Sequence, residues 1–214
     1  DLKAVYYNDA GTPYFFYVSE AQVNTLNLSI QTGSIVTGSM GFTGLSELAT
    51  ATESSESAGT DTAYAAFDLL NAVSSAEITL GGITLGTCKF GSLNLSMTNN
   101  INEAKSIGTL GACSLSAFGF EATGDVEMYF NSVDAYNAFQ NSTSFSTLIK
   151  LNDSGTVGDT SGNQIDINLP ACKFNSLGHP ISGKDSFIME SGSFTALKDS
   201  TDDYTVGFKF TDAV

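Results

Sequence analysis

The chain has 214 residues and a formal net charge of −15, because 8 basic residues stand against 23 acidic ones. This excess disfavours nucleic-acid binding through a basic face. Every basic residue is a lysine, and without the bidentate guanidinium of arginine a phosphate-recognition role is also disfavoured. Hydrophobic residues make up 42% and charged residues 14%, which indicates a globular chain and not a disordered one.

The cysteines, the longest apolar runs and the first residue indicate the thiol state, the absence of a predicted membrane span and the processing of the chain. Cys88, Cys113 and Cys172 show no spacing typical of zinc, and we expect reduced, mostly buried thiols. No apolar run approaches the length of a membrane span, so membrane anchoring is not predicted. The chain opens with Asp1, without an initiating Met or a leader, which indicates a start that is processed or incomplete.

Alternation of apolar and polar residues is the main pattern along the chain. Residues 23–44 are predicted to form one long hairpin around the turn residues Gln31-Thr32-Gly33-Ser34. Residues 46–63 lack periodicity and are interpreted as a loop or linker. Residues 93–98 and 120–130 alternate again and are predicted strands.

One segment has the pattern of a short helix, over residues 132–141. Val133, Tyr136 and Phe139 fall three apart, and Asn131 or Ser132 is the expected N-cap. A helix of this length is marginal alone, so we expect its apolar stripe to pack against a sheet.

An internal repeat organises the chain. Cys88-Lys-Phe-Gly-Ser-Leu93 recurs as Cys172-Lys-Phe-Asn-Ser-Leu177, and Gly41-Phe-Thr-Gly-Leu45 aligns with Ser193-Phe-Thr-Ala-Leu197. The core of the first motif has a third copy in Val23–Ser29. Gly41–Leu45 follows that copy as Ser193–Leu197 follows Cys172–Leu177, and two matches in the same order predict a duplicated β unit. We therefore interpret residues 1–45 as the end of a first unit whose front is absent, 46–77 as a linker, and 78–214 as a second unit.

The sequence gives little support for a catalytic or a metal site. His179, the single histidine, is interpreted as a turn residue beside Pro180, and no nucleophile, phosphate-loop or zinc motif is present. The oxygen-rich run 152–163 lacks the register of a calcium hand and is interpreted as a hairpin tip. The aspartates of 199–203 are interpreted as a solvated loop. No catalytic residue, metal or cofactor is predicted, and an enzyme is disfavoured.

The strand over residues 120–130 carries an acidic row. Glu121, Asp125 and Glu127 fall on one face with Thr123 between them. Like charges on one strand face repel each other, so the row is either an ordinary solvated face or an anionic surface past which a polyanion moves without binding. Both interpretations place it in water.

These segments resemble the major tail tube proteins of long-tailed, non-contractile (siphovirus-like) bacteriophages. The resemblance rests on Val23–Ile30 followed by Gly33–Ser39, on Leu93–Asn100, on Phe120–Phe130 leading into the helix, and on Leu169–Phe174. It implies a mainly β fold: a twisted β-sandwich or barrel with long hairpins, one short flanking helix and a duplicated β unit. Hairpins of neighbouring subunits would join into a barrel around a lumen, and rings would stack.

The resemblance also implies roles for individual residues. The core side of the hairpin would hold Leu26, Leu28, Val36 and Phe42. The lumen-facing residues would be Asn27, Ser29, Thr37, Ser39, Glu121, Thr123, Asp125 and Glu127. The candidate inter-ring loops carry Glu53, Glu56, Asp153 and Asp159.

The implied function is that of a structural virion protein. It would polymerise into a tube that conducts DNA during ejection, with DNA as cargo that does not stick. Other copies of the chain, as trimers with pseudo-sixfold symmetry or as hexamers, would be the main partners, with tape-measure, tail-terminator and tip proteins. Assembly would occur in the host cytoplasm. The alternative is an extracellular adhesin or pilus-like β-sandwich, which exposed aromatics around Tyr6, Tyr7 and residues 14–17 would favour.

Overall fold

The computed structural model describes residues 2–50, 70, 76–108, 111–153, 162–179, 183–184 and 186–211. Within these ranges the chain is mainly β with one short helix, so the predicted fold class, a β-sandwich or barrel with a short helix, is confirmed. The elements are β1 (Leu2–Tyr7), β2 (Pro13–Ser19), β3 (Gln22–Gln31), β4 (Thr37–Thr43), β5 (Ser46–Thr50), β6 (Ala76–Leu80), β7 (Phe90–Thr98), β8 (Ile101–Ala104), β9 (Ser114–Ala117), β10 (Glu121–Tyr129), α1 (Asp134–Gln140), β11 (Phe145–Asn152), β12 (Gln164–Gly178), β13 (Met189–Leu197) and β14 (Gly207–Thr211).

The chain folds as two compact units that interleave along the sequence. Unit 1 comprises residues 1–26, 40–66 and 98–120, and unit 2 comprises 27–39, 67–97 and 121–214. The predicted hairpin 23–44 corresponds to β3 and β4, which are hydrogen-bonded neighbours. Its turn closes with a hydrogen bond from the Ser34 N–H to the Gln31 carbonyl, and Gly33 supplies the positive φ of 75° that this turn requires.

A nine-stranded sheet carries most of the core. Its strand order is β4-β3-β7-β10-β13-β12-β11-β6, with β14 paired to β12. The predicted strands over 93–98 and 120–130 are β7 and β10, and in both the buried side chains alternate with open ones. The buried row of β10 is Ala122, Gly124, Val126 and Met128. This side of the sheet therefore faces the hydrophobic core.

Strand β12 changes neighbours halfway along its length. Residues 164–168 pair with β14, whereas residues 171–178 pair with β13. Pro170 lies at the change, and the register with β11 shifts there. Because proline has no N–H to donate to a ladder, it is tolerated in a strand at such an irregularity.

Phe194 fills the centre of this core by lying across a glycine. Its ring is fully buried, and its cross-strand partner is Gly124 on β10. A Cβ atom at Gly124 would collide with the Phe194 ring. Phe145 packs edge-on against Phe194 at 5.8 Å and stacks on Phe174 at 4.5 Å between ring centroids. The glycine thus makes room for the buried ring of Phe194.

Helix α1 confirms the predicted helix, but not its predicted cap. The N-cap position is Val133, not Asn131 or Ser132, and Val133 has no side-chain hydrogen bond. The Ser132 hydroxyl, one position earlier, does accept from the Asp134 N–H at 3.2 Å. Both the Ser132 hydroxyl and the Asp134 carboxylate also bond the backbone of Thr84, at 3.2 and 3.0 Å. These bonds fix the loop after β6 to the start of the helix, and those from Thr84 hold the pKa of Asp134 below its ordinary value.

Unit 1 contains a three-stranded antiparallel sheet of order β1-β2-β5 and the β8–β9 pair. Residues 46–77 are interpreted from the sequence as a linker, but the first five of them, Ser46–Thr50, form strand β5 and pair with β2. Residues 51–69 and 71–75, including Glu53 and Glu56, lie outside the described part of the chain.

Two expectations about burial are wrong. Cys88 and Cys113 are exposed, and only Cys172 is buried, where burial raises its pKa to about 11. Phe42 is 44% exposed because, among the described strands, β4 is the outermost strand of its sheet and no further strand covers it.

A histidine and a buried glutamate join two strands of unit 2. His179, directly after β12, places Nε2 2.7 Å from Oε1 of Glu190 on β13. Glu190 is 2% exposed, and the His179 ring packs against Phe130 and Tyr136. Burial raises the pKa of Glu190, and the hydrogen bond and charge of His179 oppose that rise.

Glu190→Gln is expected to stabilise the subunit at neutral pH and to leave it unchanged near pH 4. The pKa of Glu190 is higher in the folded subunit than in the unfolded chain, where it is about 4.3. The stability that protonated Glu190 contributes is therefore fully present below that unfolded value and is lost as the pH rises through the folded pKa. Thermal unfolding from pH 4 to pH 8 measures this difference, with Glu121→Gln on the exposed strand face as the control. A variant less stable than the parent at pH 7 would contradict it.

Candidate functional site

The open side of the nine-stranded sheet is lined by short polar side chains. Along β10, Glu121 and Asp125 are exposed, and Thr123 and Glu127 are half-buried. The register with β13 places Thr195, Ser193 and Ser191 opposite Thr123, Asp125 and Glu127 in turn. We call the surface formed by these residues and their neighbours on β3, β4, β7 and β12 the polar face.

Side-chain hydrogen bonds connect the first strands of the polar face. Asn27 Nδ2 donates to the Ser39 hydroxyl on β4 at 3.3 Å. The Ser96 hydroxyl of β7 donates to Asn27 Oδ1 at 2.7 Å, and the Ser29 hydroxyl donates to Asn94 Oδ1 at 2.6 Å. These polar groups satisfy each other across three strands, which holds the face in one arrangement.

Two shallow grooves run over the polar face. The first, of about 390 Å³, brings together six of the eight predicted lumen-facing residues: Asn27, Ser29, Thr37, Ser39, Thr123 and Asp125. The second, of about 470 Å³, contains Asp125 and Glu127 with Ser92, Ser176, Ser191 and Ser193. Glu121 lies in neither groove, at the start of β10. Sequence reasoning thus placed these residues on one surface.

The carboxylates of the face are concentrated on β10. Successive residues on one strand face are about 6.8 Å apart, so Asp125 and Glu127 are near neighbours. In water two charges at that spacing repel by about 0.6 kcal/mol, which a folded subunit tolerates easily. The row is therefore a negative stripe among hydroxyls and amides, with one lysine, Lys173, paired with Thr195 on the same side of the sheet, and its cost to stability is small.

Several polar-face residues were not among the predicted ones. Asn94 and Ser96 alternate with the buried residues of β7, and this alternation alone could have selected them. Ser191 and Ser193 alternate with the core residues of β13 and could have been selected in the same way. Ser176 could not be selected as readily, because a register shift between Phe174 and Ser176 changes the alternation of β12. The Ser176 and Ser193 hydroxyls are 2.8 Å apart.

The other sequence candidates have local structural roles. Asp153 closes the base of the β11–β12 connection, where its carboxylate accepts from the Asn163 N–H at 2.6 Å, whereas Asp159 lies outside the described residues. Asp199 accepts from the N–H groups of Thr201 and Asp202, and these bonds lower its pKa. No cluster of metal-ligating side chains occurs within the described ranges. In the same ranges no helix has the length and apolarity to cross a membrane.

A mainly β subunit with one broad polar face and a hydrogen-bonded Ser/Thr/Asn surface has the character of a structural protein. A family model for phage tail tube proteins matches residues 1–196, and the chain belongs to that family. It is thus a structural protein of the virion tail, where such proteins self-assemble into a tube together with other tail proteins. A search of curated proteins returned no match.

Proposed function

We propose that this chain polymerises as stacked rings into the tube of a long, non-contractile phage tail, and that the polar face lines the bore through which DNA passes during ejection. The observation that carries the proposal is the collection of Asn27, Ser29, Thr37, Ser39, Thr123 and Asp125 around one groove on the open side of the sheet. The opposite side of the same sheet is the hydrophobic core.

The chemistry of the polar face suits a surface that does not retain DNA. Its two grooves are lined by carboxylates, hydroxyls and amides without a lysine among the described residues, and the whole chain has no arginine. Lys173, which pairs with Thr195 outside these grooves, is a single cation against the three carboxylates of β10. Phosphates bind proteins mainly through such cations. Glu121, Asp125 and Glu127 add repulsion, so DNA would slide past a hydrated wall without forming lasting contacts.

The ring is proposed to contain three chains with pseudo-sixfold symmetry, because the sequence repeat predicts two related β units per chain. Six chains, each contributing one unit, is the alternative. The tape-measure, tail-terminator and tip proteins are the proposed partners, and assembly would take place in the host cytoplasm. The loop that carries Asp153 is proposed to reach the adjacent ring.

One observation favours the alternative of an adhesin or pilus-like module. Tyr6 and Tyr7 are 62% and 71% exposed, and Tyr14 is exposed as well. Aromatic side chains at a strand end are typical of binding surfaces. The family match makes a tube contact the better explanation of these residues.

Electron microscopy of the purified chain tests the proposal. We expect hollow filaments of uniform bore and regular striation, and image reconstruction should place β10 and β7 at the bore and resolve three or six chains per ring. Persistent compact monomers at high concentration would contradict assembly. Tubes whose bore is lined by another surface would contradict the role of the polar face alone.

A further inference from the structure

The sheet β1-β2-β5 of unit 1 is apolar on both sides, yet none of its described residues is buried. Its burial classes are only intermediate or exposed, although β1 and β2 contain Tyr6, Tyr7, Tyr14, Phe15, Phe16 and Tyr17. A three-stranded sheet gains independent stability by covering an apolar face. The described subunit leaves this sheet without such a cover.

One side of this sheet forms a groove, which we call the aromatic groove. Strand pairing brings Leu2 against Val18, Ala4 against Phe16 and Tyr6 against Tyr14 on the same side. The resulting groove has a volume of about 650 Å³ and is lined by Leu2, Ala4, Tyr6, Tyr7, Asn8, Tyr14, Phe16, Val18 and Glu47. The Tyr6 ring packs edge-on against the Phe16 ring, with 5.3 Å between the ring centroids.

Charge indicates which partner could cover the aromatic groove. Two copies of a chain with a net charge of −15 repel each other wherever carboxylates meet. Among the described residues that line the groove, Glu47 is the single charged one, although the chain has 23 acidic residues. A copy that docks here meets tyrosines and aliphatic side chains and almost no like charge. Tyrosine-rich, charge-depleted surfaces are typical of the centres of protein interfaces.

We propose that the aromatic groove is a contact surface for a second copy of this chain in the tube. This inference rests on the proposed function, since it names the surface through which copies meet. A contact between two identical grooves would close into a dimer, so the neighbour covers the groove with a different part of its surface, as an extended assembly requires.

Two matched substitutions on β1 test the contact. Tyr6→Asp places a carboxylate in the groove, whereas Val5→Asp places one on the opposite side, next to Lys3. We expect Tyr6→Asp to raise the protein concentration needed for tube formation by on the order of tenfold or more, and Val5→Asp to change it much less. Equal effects of the two variants would overturn the proposal. Circular dichroism of each unassembled subunit confirms that it is folded.

Side-chain footprinting of the parent protein gives an answer that does not depend on any variant. Hydroxyl radicals oxidise exposed tyrosines, and we expect oxidation of Tyr6 and Tyr14 to fall by about fivefold or more between subunit and tube. Tubes with unprotected groove tyrosines would overturn this inference and leave the proposed function intact. Protection already present in the unassembled subunit would also overturn it, since another part of the same chain would then cover the groove. Failure of the parent to form tubes would contradict the proposed function itself.

Discussion

Phe194→Ala is expected to lower the free energy of unfolding of the subunit by about 3–5 kcal/mol, the usual cost of emptying a large aromatic site in a core. The ring is fully buried between Gly124 and Phe145, and no neighbouring strand can move in without breaking the sheet register. A domain is stable by about 5–15 kcal/mol, so the loss is a large share of the total. Urea denaturation of the unassembled subunit measures it.

A substitution at Gly124 tests the same packing site from the opposite strand. Gly124→Ala forces a methyl group into the Phe194 ring and is expected to cost about 1–3 kcal/mol by overpacking. Gly119→Ala adds the same methyl group where nothing lies within 4 Å and should be nearly neutral. In the double variant the new methyl group occupies the space left by the ring. The double variant should therefore lose less unfolding free energy than the two single variants lose in total. Simple additivity would show that ring and glycine do not share one site.

Reversing the acidic row is expected to produce the largest functional effect. Virions built with Glu121→Lys, Asp125→Lys and Glu127→Lys should still carry tubes, because these side chains are exposed or half-buried. Each chain would then present three cations to the passing phosphates. DNA release should slow by on the order of tenfold at low salt and recover as salt rises, since counterion release drives such binding. Dye-detected release from purified virions measures the rate.

A charge-matched variant separates location from total charge. Glu103→Lys, Asp202→Lys and Asp203→Lys make the same change in net charge at exposed positions outside the polar face. This variant should release DNA at the parental rate. If both triple variants slow release equally, or if neither does, the acidic row does not face the DNA path.

The periodic spacing of apolar and polar residues made part of the fold predictable from the sequence. The hairpin 23–44, the strands around 93–98 and 120–130, and the helix all appeared where periodicity placed them, because each has one apolar and one polar side. The position of Glu190 could have been derived in the same way, since it alternates with Gly192, Phe194 and Ala196 on the core side of β13.

Neighbours distant in sequence account for most of what could not be predicted. The repeat aligned Cys88 with Cys172 and Phe42 with Phe194, yet the second member of each pair is buried and the first is exposed. Phe42 lies on β4, an outer strand, whereas Phe194 lies on β13, an inner one. Cys88 lies before the start of β7 and outside any strand, whereas Cys172 lies within β12. The duplication of the β unit stays a prediction, because similarity between two sequence segments does not show that they occupy similar positions in the fold.

The same reasoning applies to the contact between His179 and Glu190. Nothing in Gly-His-Pro shows that the end of β12 lies beside the start of β13, so the interpretation of His179 as a turn residue had no reason to include a partner. The polar face could be predicted residue by residue on β3, β4 and β10. Its extension over β13 and β12 depended on strand order and on a register shift.

The position of β4 at one edge of the sheet, among the described strands, has a consequence for copies of the chain before they assemble. The seven residues of β4 include no charged side chain and no proline, the usual devices that keep a rim from capturing stray strands. Unassembled copies therefore depend on mutual repulsion to stay dispersed, and a net charge of −15 supplies it. Because salt screens this repulsion, we expect purified, unassembled copies to stay dispersed longer at low ionic strength than at high.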